Sequence, residues 1–290
     1  MNRLDPRIHP YRPGLAARHL KGLVEAERFV EGTAHRVIEM AIDILGEDQG
    51  TRVTQALYGE TFTVYERDGF WAWGQLETDG YVGWISKFAL APITDDSPDQ
   101  THRVCVPLTR GTSDTIKTLG YGPLPMGARV CTSGGPLPVR GSSADFLASE
   151  TGTIPAAHLV ALDARLADPA GIAETFLGSP YVWGGRTAMG LDCSALVQLA
   201  FQAAGLAAPR DSDQQEADFG APLDEGTALR RGDLVFWRGH VGIMLDPERL
   251  LHANAFRMAV AIEPLETAAN RILAGGGGPI TARKRVALPD

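Results

Sequence analysis

Short apolar runs separated by glycine and polar turn residues fill the chain from about His35 onward. They lie at residues 55–58, 62–65, 71–76 and 81–85. Runs of this length, rich in aromatic and β-branched residues, predict the strands of a small β-barrel. The preceding residues, 1–28, are rich in proline and charge; they predict a leader that wraps onto other domains, with one short helix at 16–28.

A weak internal repeat indicates that this barrel is present twice. Gly83-Trp84-Ile85, followed by Leu90, returns as Gly152-Thr153-Ile154, followed by Leu159. Matching motifs in a nearly constant register are the signature of tandem modules. We therefore predict two small barrels, at 29–95 and 96–165, with a joint rich in Asp, Ser and Pro between them.

The pattern changes after this repeat, and 166–290 is predicted to be a third unit. Asp168 followed by Pro169 favours the start of a helix, and a second helix, apolar on nearly every side, begins at Cys193. Strands joined by tight turns are then predicted by three apolar runs, 233–237, 240–245 and 250–254. Helices followed by an antiparallel sheet are the order of an α+β domain.

The start of the second helix is a favourable place for a nucleophilic thiol. Unpaired N–H groups and aligned peptide dipoles favour a thiolate there, so we expect a lowered pKa for Cys193 and N–H groups able to hold an oxyanion. A turn centred near residue 246 would place His240 and His252 opposite or nearly opposite each other on one face, within about 5 Å. The sequence thus predicts Cys193 as nucleophile, His240 as general base and His252 as the residue that orients the base.

Five motifs, in this order, resemble the NlpC/P60 cysteine peptidases: Tyr181-Val182-Trp183-Gly184-Gly185, Leu191-Asp192-Cys193-Ser194, Pro209-Arg210-Asp211-Ser212 with Gln215, Gly232-Asp233-Leu234-Val235-Phe236, and His240-Val241-Gly242-Ile243. The departure is Ala195, where the family usually carries glycine. Leu57-Tyr58-Gly59-Glu60 and Tyr81-Val82-Gly83-Trp84 resemble a bacterial SH3-type module. The resemblance implies an α+β papain-like catalytic domain preceded by two small SH3-like β-barrels.

Family members with two such modules are of the dipeptidyl-peptidase VI type. The resemblance therefore implies hydrolysis of γ-D-glutamyl to diamino-acid bonds in murein peptides with a free N-terminal L-alanine. By the same match, the subsites would be lined by Tyr181, Trp183, Asp192, Ser194 and Ser212, with Asp192 and Tyr181 near the substrate's α-amino group. Glu60 and Tyr81 of the first module would form a wall that blocks longer peptides.

Simpler structural roles stay open for several of these residues. The only role of Asp192 could be to cap the helix that follows it. The only role of Trp183 could be to fill a core. Packing, not chemistry, is predicted for Cys105 and Cys131 in the second module and for Trp71, Trp73 and Trp84 in the first.

The composition of the chain limits the classes of molecule that it is expected to bind. The chain of 290 residues carries 27 basic and 35 acidic residues, a net charge of −8, which disfavours nucleic acid and anionic membrane surfaces. Its three cysteines do not form a disulfide framework and fit a reducing compartment. Residues 1–28 lack the apolar stretch of a signal peptide, so we expect a cytoplasmic protein. We further expect a monomer or weak oligomer whose substrate is a small murein peptide. Peptidoglycan is a further candidate partner.

Three other functions are weighed against the peptidase. Cys193, His240 and His252 could be zinc ligands of a hydrolase, although no local pair has tight ligand spacing. The protein could bind the cell wall without catalysis, or it could be a thiol amidase or acyltransferase of the same superfamily. The peptidase mechanism itself requires neither a metal nor an organic cofactor.

Overall fold

The computed structural model describes residues 4–47, 50–118 and 120–288. The chain divides into two compact units, Met1–Leu162 and Asp163–Asp290. Within the described ranges, no helix is long and apolar enough to cross a membrane.

The leader is built from extended segments. Its described residues contain a 3₁₀ turn, Arg18–Leu20, and the strands β1 (Tyr11–Arg12) and β2 (Leu15–Ala17), which form a three-stranded sheet with β3 (Phe29–Val30), directly after the leader. The predicted helix at 16–28 is therefore wrong. Gly22 has a φ of +86°, which an α-helix does not accommodate, and Leu15 is buried with Trp73 and Trp84 of the next module, as extended pairing allows.

One antiparallel sheet forms the first module. Its strands are β4 (Thr33–Val37), β5 (Ala41–Leu45), β6 (Arg52–Leu57), β7 (Thr61–Asp68), β8 (Trp71–Leu76), β9 (Val82–Ser86) and β10 (Leu90–Pro92), in the spatial order β10-β4-β7-β8-β9-β5-β6. β6 to β9 confirm the four predicted strands. Alternate residues such as Phe62 and Leu76 are fully buried in its core, and Trp73 and Trp84 are buried as predicted.

The second module consists of three small sheets. They are β14-β11-β18, β12-β13 and β15-β16-β17, built from β11 (His102–Val104), β12 (Leu108–Thr109), β13 (Leu124–Pro125), β14 (Arg129–Val130), β15 (Thr132–Pro138), β16 (Asp145–Ser149), β17 (Gly152–Pro155) and β18 (Leu159–Ala161). A strand, a 3₁₀ turn and a strand close both modules, with the turns at Lys87–Ala89 and Ala156–His158. The sequence repeat therefore corresponds to a local structural repeat, and a second barrel stays a prediction.

Over its described residues, 163–288, the second unit combines four helices with a six-stranded antiparallel sheet. The helices are α1 (Pro169–Glu174), α2 (Cys193–Ala203), α3 (Ser212–Asp218) and α4 (Leu265–Ala274). The short pair β19 (Arg186–Thr187) and β20 (Gly190–Leu191) precedes the main sheet of β21 (Ala221–Pro222), β22 (Leu234–Trp237), β23 (His240–Met244), β24 (Arg249–Asn254), β25 (Ala259–Pro264) and β26 (Ala282–Arg285), in the order β21-β26-β22-β23-β24-β25.

The predicted central helix and three strands are confirmed as α2 and β22 to β24. β22 is buried along its whole length, which explains its uninterrupted apolar sequence. α2 packs against β23 and β24, and α4 packs against β24 and β25. The N-terminus of α2 is thereby held beside the strands that carry the two histidines.

Candidate active site

Asp192 caps the helix that carries the candidate nucleophile. Its Oδ1 accepts the backbone N–H of Ala195 at 2.9 Å, the usual contact of an N-cap residue. The same carboxylate accepts the Gly184 N–H at 2.8 Å and the Ser194 hydroxyl at 3.2 Å. One side chain therefore ties the loop before the helix to the start of the helix, and the predicted capping role is confirmed.

Arg210 neutralises this carboxylate. Its Nη1 and Nη2 donate to the two Asp192 oxygens at 3.0 and 2.8 Å, a bidentate arrangement. Nη1 also donates to the Ser194 hydroxyl at 2.9 Å. The family motif around Arg210 does not indicate this role. The sequence feature that could have indicated a buried ion pair is a charged residue directly after the apolar segment 206–209.

Cys193 is the first residue of α2, and it is almost completely buried. Burial, and next the charge of Asp192, raise the pKa of Cys193 to about 12, against the opposing effects of the Val241 and Ser194 N–H groups and of Arg210. The expected lowering of this pKa is therefore wrong, because desolvation of a thiolate outweighs the favourable dipoles of the helix N-terminus. The resting group is a thiol.

His240 and His252 meet across the hairpin of β23 and β24. Nε2 of His240 is 2.8 Å from Nδ1 of His252. Ile243 pairs with Leu251, and continuing this register places His252 opposite Gly242, diagonal to His240. The predicted placement of the two histidines on one face, nearly opposite each other, is confirmed; they are diagonal and not directly paired because the turn is centred one residue later than predicted.

Gly242 provides the space for this diagonal contact. A Cβ at this position would lie 3.2 Å from Cβ of His252 and 2.7 Å from Cδ1 of Leu250. Any side chain here would press on the strand that carries His252. The glycine of the His240-Val241-Gly242-Ile243 motif therefore has a direct steric reason.

The His240 imidazole is neutral and able to accept a proton. Burial, and next His252 and the charge of Arg271, lower the pKa of His240 to about 3, against the opposing effect of Glu263. Val241, the next residue along the strand, directs its N–H at the Cys193 sulfur. A buried thiol and a neutral imidazole, whose Nε2 is held by a second imidazole, are thus brought to one place, an arrangement suited to acyl transfer.

Comparison with known proteins agrees with this geometry. Residues 178–271 match the model of the NlpC/P60 family. A gamma-D-glutamyl-L-lysine dipeptidyl-peptidase of Bacillus subtilis (strain 168) is 30% identical over 226 residues, which are 69% of this chain and 71% of the relative. The chain belongs to the NlpC/P60 family. A protein of the same name from Bacillus cereus is 28% identical over 239 residues, 74% of this chain and 71% of that relative.

The solved structure of an NlpC/P60 family protein from Bacillus cereus has the same fold. It matches with a TM-score of 0.71 at 20% identity and covers 89% of this chain and 100% of that chain. Residues 46–90 match the model of the bacterial dipeptidyl-peptidase Sh3 domain. The protein is therefore a peptide-bond hydrolase with an SH3-like domain ahead of its NlpC/P60 domain.

A carboxylate of the NlpC/P60 domain lies directly behind His252. Oε1 of Glu263 is 2.7 Å from His252 Nε2, and Arg271 donates to both oxygens of Glu263 at 2.6 Å. His252 is fully buried and Glu263 nearly so. Neither Glu263 nor Arg271 lies in one of the sequence motifs, and the sequence pattern does not predict β25 and α4, which carry them.

The predicted subsite residues occupy different environments in the NlpC/P60 domain. Tyr181 is half-buried; burial raises its pKa to about 12, and the neighbouring Cys193 and Asp192 contribute to the rise. Trp183 is 58% exposed, so the alternative that it fills a core is wrong. Ser194 is buried against Asp192, and Ser212 is the half-buried first residue of α3.

Glu60 and Tyr81 lie in the first unit. Glu60 is buried and its Oε2 accepts the N–H of Leu57 at 2.7 Å, while Tyr81 is buried directly before β9. Their assignment to a wall of the substrate site stays a prediction.

The zinc alternative finds no geometric support. Both ring nitrogens of His252 face side chains, His240 and Glu263, and not an open position. Among the described residues no group of three or more His, Cys, Asp or Glu side chains is arranged to hold a metal ion.

Proposed function

We propose that this protein is a cysteine peptidase that hydrolyses γ-D-glutamyl to diamino-acid bonds in murein peptides with a free N-terminal L-alanine. The observation that carries the proposal is the contact of His240 Nε2 with His252 Nδ1 at 2.8 Å, next to a thiol at a helix N-terminus. The matched relatives are named gamma-D-glutamyl-L-lysine dipeptidyl-peptidases, which supports this bond and a substrate with a free N-terminus.

In the proposed reaction Cys193 is the nucleophile and His240 the base. As the substrate binds, the thiol proton passes to Nδ1 of His240 and the sulfur attacks the γ-glutamyl carbonyl carbon. First-turn N–H groups of α2 stabilise the oxyanion, although that of Ala195 is already bound to Asp192. The imidazolium protonates the leaving amine, and water, deprotonated by His240, then hydrolyses the thioester. His252 holds the His240 ring throughout.

The substrate side chains and termini are assigned to the residues around the thiol. Tyr181, Trp183 and Ser212 are proposed to line the subsites, as the family motifs imply. Ser194 and Asp192 are proposed to line the subsites from their buried side, since both are bound to Arg210 and to each other. Glu60 and Tyr81 of the first unit are proposed to limit peptide length.

The test is mass spectrometry of tripeptides incubated with the wild type and with Cys193→Ala. L-Ala-γ-D-Glu-L-Lys and the diaminopimelate equivalent are compared with their N-acetylated forms. Release of L-Ala-γ-D-Glu by the wild type alone, with the acetylated peptides spared, is the expected result. Cleavage of long wall fragments but not tripeptides would refute the dipeptidyl-peptidase activity, and binding to the wall without any cleavage would favour the non-catalytic alternative.

Two further parts of the proposal concern architecture and location. Residues 96–165 are proposed to be a second SH3-like module, since the same strand, 3₁₀ turn and strand close both halves of the first unit. An experimental structure in which 96–165 does not superpose on 29–95 would contradict this. A cytoplasmic location is proposed because the three cysteines are unpaired, and cell fractionation tests it.

A further inference from the structure

A chain of four polar side chains runs from the candidate base to the surface of the second unit. His240 contacts His252 at 2.8 Å, His252 contacts Glu263 at 2.7 Å, and Glu263 accepts two hydrogen bonds of 2.6 Å from Arg271. Burial increases inward: the side chain of Arg271 is 23% exposed, that of Glu263 is 7% exposed, and that of His252 has no exposed surface. Arg271 is also covered by the ring of Phe256, 4.3 Å away.

The charge of Glu263 decides which nitrogen of His252 carries hydrogen. The hydrogen bonds from Arg271 hold the pKa of Glu263 below its ordinary value, so the carboxylate is ionised at neutral pH. An ionised carboxylate only accepts hydrogen bonds. Nε2 of His252 must therefore carry the hydrogen and donate it to Glu263, which leaves Nδ1 of the neutral ring as an acceptor.

The same reasoning assigns the tautomer of the His240 ring. Nδ1 of His252 accepts, so Nε2 of His240 must donate across the contact of 2.8 Å. In a neutral imidazole only one nitrogen carries hydrogen. Nδ1 of His240 is then the bare nitrogen, the one able to take a proton from a thiol. These tautomers follow from the hydrogen-bond network, with Glu263 as the fixed point.

We propose that Glu263 is a positioning residue that sets the tautomers of both histidines, and that Arg271 keeps it ionised. The inference rests on the proposed peptidase function of Cys193 and His240. When His240 gains the thiol proton, its positive charge forms one ring away from the Glu263 carboxylate. The titratable or charged groups that act on this ring are His252 on β24, Glu263 on β25 and Arg271 on α4. The Cys193 thiol is contacted by the N–H of Val241, the residue next to His240, and Asp192 acts on that thiol.

A purely structural ion pair between β25 and α4 is the competing explanation, and Glu263→Gln separates the two. The amide has nearly the size of the carboxylate, but Arg271 requires its oxygen, so the NH₂ group turns to His252. Nε2 of His252 would then have to accept, its hydrogen would move to Nδ1, and the His240 tautomer would be reversed. A structural pair would lose stability without this reversal.

The direct measurement is ¹⁵N NMR of the histidine rings in full-length protein carrying Cys193→Ala, with and without Glu263→Gln. We expect His252 with hydrogen on Nε2 and His240 with bare Nδ1, and we expect both assignments to reverse in the Glu263→Gln protein. Glu266→Gln, which changes an exposed carboxylate of α4, is the matched control and should leave the spectra unchanged. Unchanged tautomers in Glu263→Gln would overturn the inference.

Kinetics on the tripeptide provide the second readout. Glu263→Gln is expected to lower kcat by ~10²-fold with KM little changed, within the range contributed by general acid–base catalysis. Glu263→Asp, which keeps the charge, should recover part of the loss, and Arg271→Gln should also lower kcat, because it removes the cation that keeps Glu263 ionised. Wild-type kcat in both Glu263→Gln and Arg271→Gln would overturn the inference. If the tautomers reverse as expected but the wild type cleaves no tripeptide, the positioning role stands and the proposed substrate fails.

Discussion

The Asp192 carboxylate and the Arg210 guanidinium form a bidentate ion pair in which only 8% and 1% of the side-chain surfaces are exposed. The same carboxylate caps α2 and holds the Gly184 N–H. The start of the helix, the preceding loop and a distant buried arginine are therefore joined at one point beside Cys193. This relationship makes Arg210 a structural requirement of the active site.

Removal of Arg210 should strongly destabilise the protein. Arg210→Gln would leave the buried Asp192 charge uncompensated, a change that costs ~3–5 kcal/mol in the free energy of unfolding. Arg230→Gln, at an exposed arginine, should stay within ~0.5 kcal/mol of the wild type. Urea unfolding measures both. A loss for Arg210→Gln no larger than that of Arg230→Gln would show that the pair contributes little.

A methyl group at Gly242 should disturb His252. In Gly242→Ala the new Cβ would lie 2.7 Å from Leu250 and 3.2 Å from Cβ of His252, so β24 must shift. We expect a destabilisation of ~1–3 kcal/mol, typical of overpacking, and a loss of kcat larger than this change in stability explains. Gly135→Ala, where a Cβ meets nothing within 4 Å, is the control. Wild-type kcat in Gly242→Ala would contradict the steric role.

The stability of the wild type should fall with acidity partly through His240. Its folded pKa lies below the ordinary 6.5, so below that pH the unfolded chain binds more protons at this position than the folded chain. The stability that this group contributes above pH 6.5 is lost as the pH falls towards about 3. His240→Gln should therefore lose less unfolding free energy than the wild type between neutral pH and about pH 5. Parallel losses in urea unfolding would argue against a depressed pKa.

The acid limb of the pH–rate profile should reflect the same shift. Because burial, His252 and Arg271 disfavour the His240 imidazolium, the base stays unprotonated below its ordinary pKa of 6.5. We expect kcat/KM on the tripeptide to keep its plateau below that pH, with apparent pKa values that belong to the coupled thiol and imidazole. An acid limb centred at or above 6.5 would instead indicate an imidazolium stabilised by a thiolate.

The sequence predicts the places of Cys193 and His240 in the fold well because both depend on local patterns. Cys193 opens a helix that is apolar on nearly every side, and His240 opens a buried strand, so both positions can be read within a few residues. The capping role of Asp192 follows from the same local rule. A glycine-separated series of apolar runs likewise predicts the strands of the first module.

Features that depend on distant pairing cannot be read in this way. Glu263 reaches His252 because β25 pairs with β24 in a register that sets Ala261 opposite His252 and Glu263 two residues further on. The diagonal relation of His240 and His252 depends on the length of one turn. The extended leader depends on the buried contacts of Leu15, which overrule a weak local preference for helix.

The most direct test of the account is to trap the acyl group on Cys193. The wild type is mixed with L-Ala-γ-D-Glu-L-Lys, quenched in acid and digested, and the peptide that contains Cys193 is examined by mass spectrometry. We expect an L-Ala-γ-D-Glu adduct on this cysteine, absent from Cys193→Ala and from controls with N-acetylated tripeptide. Cleavage of the tripeptide that continues undiminished in Cys193→Ala would contradict it.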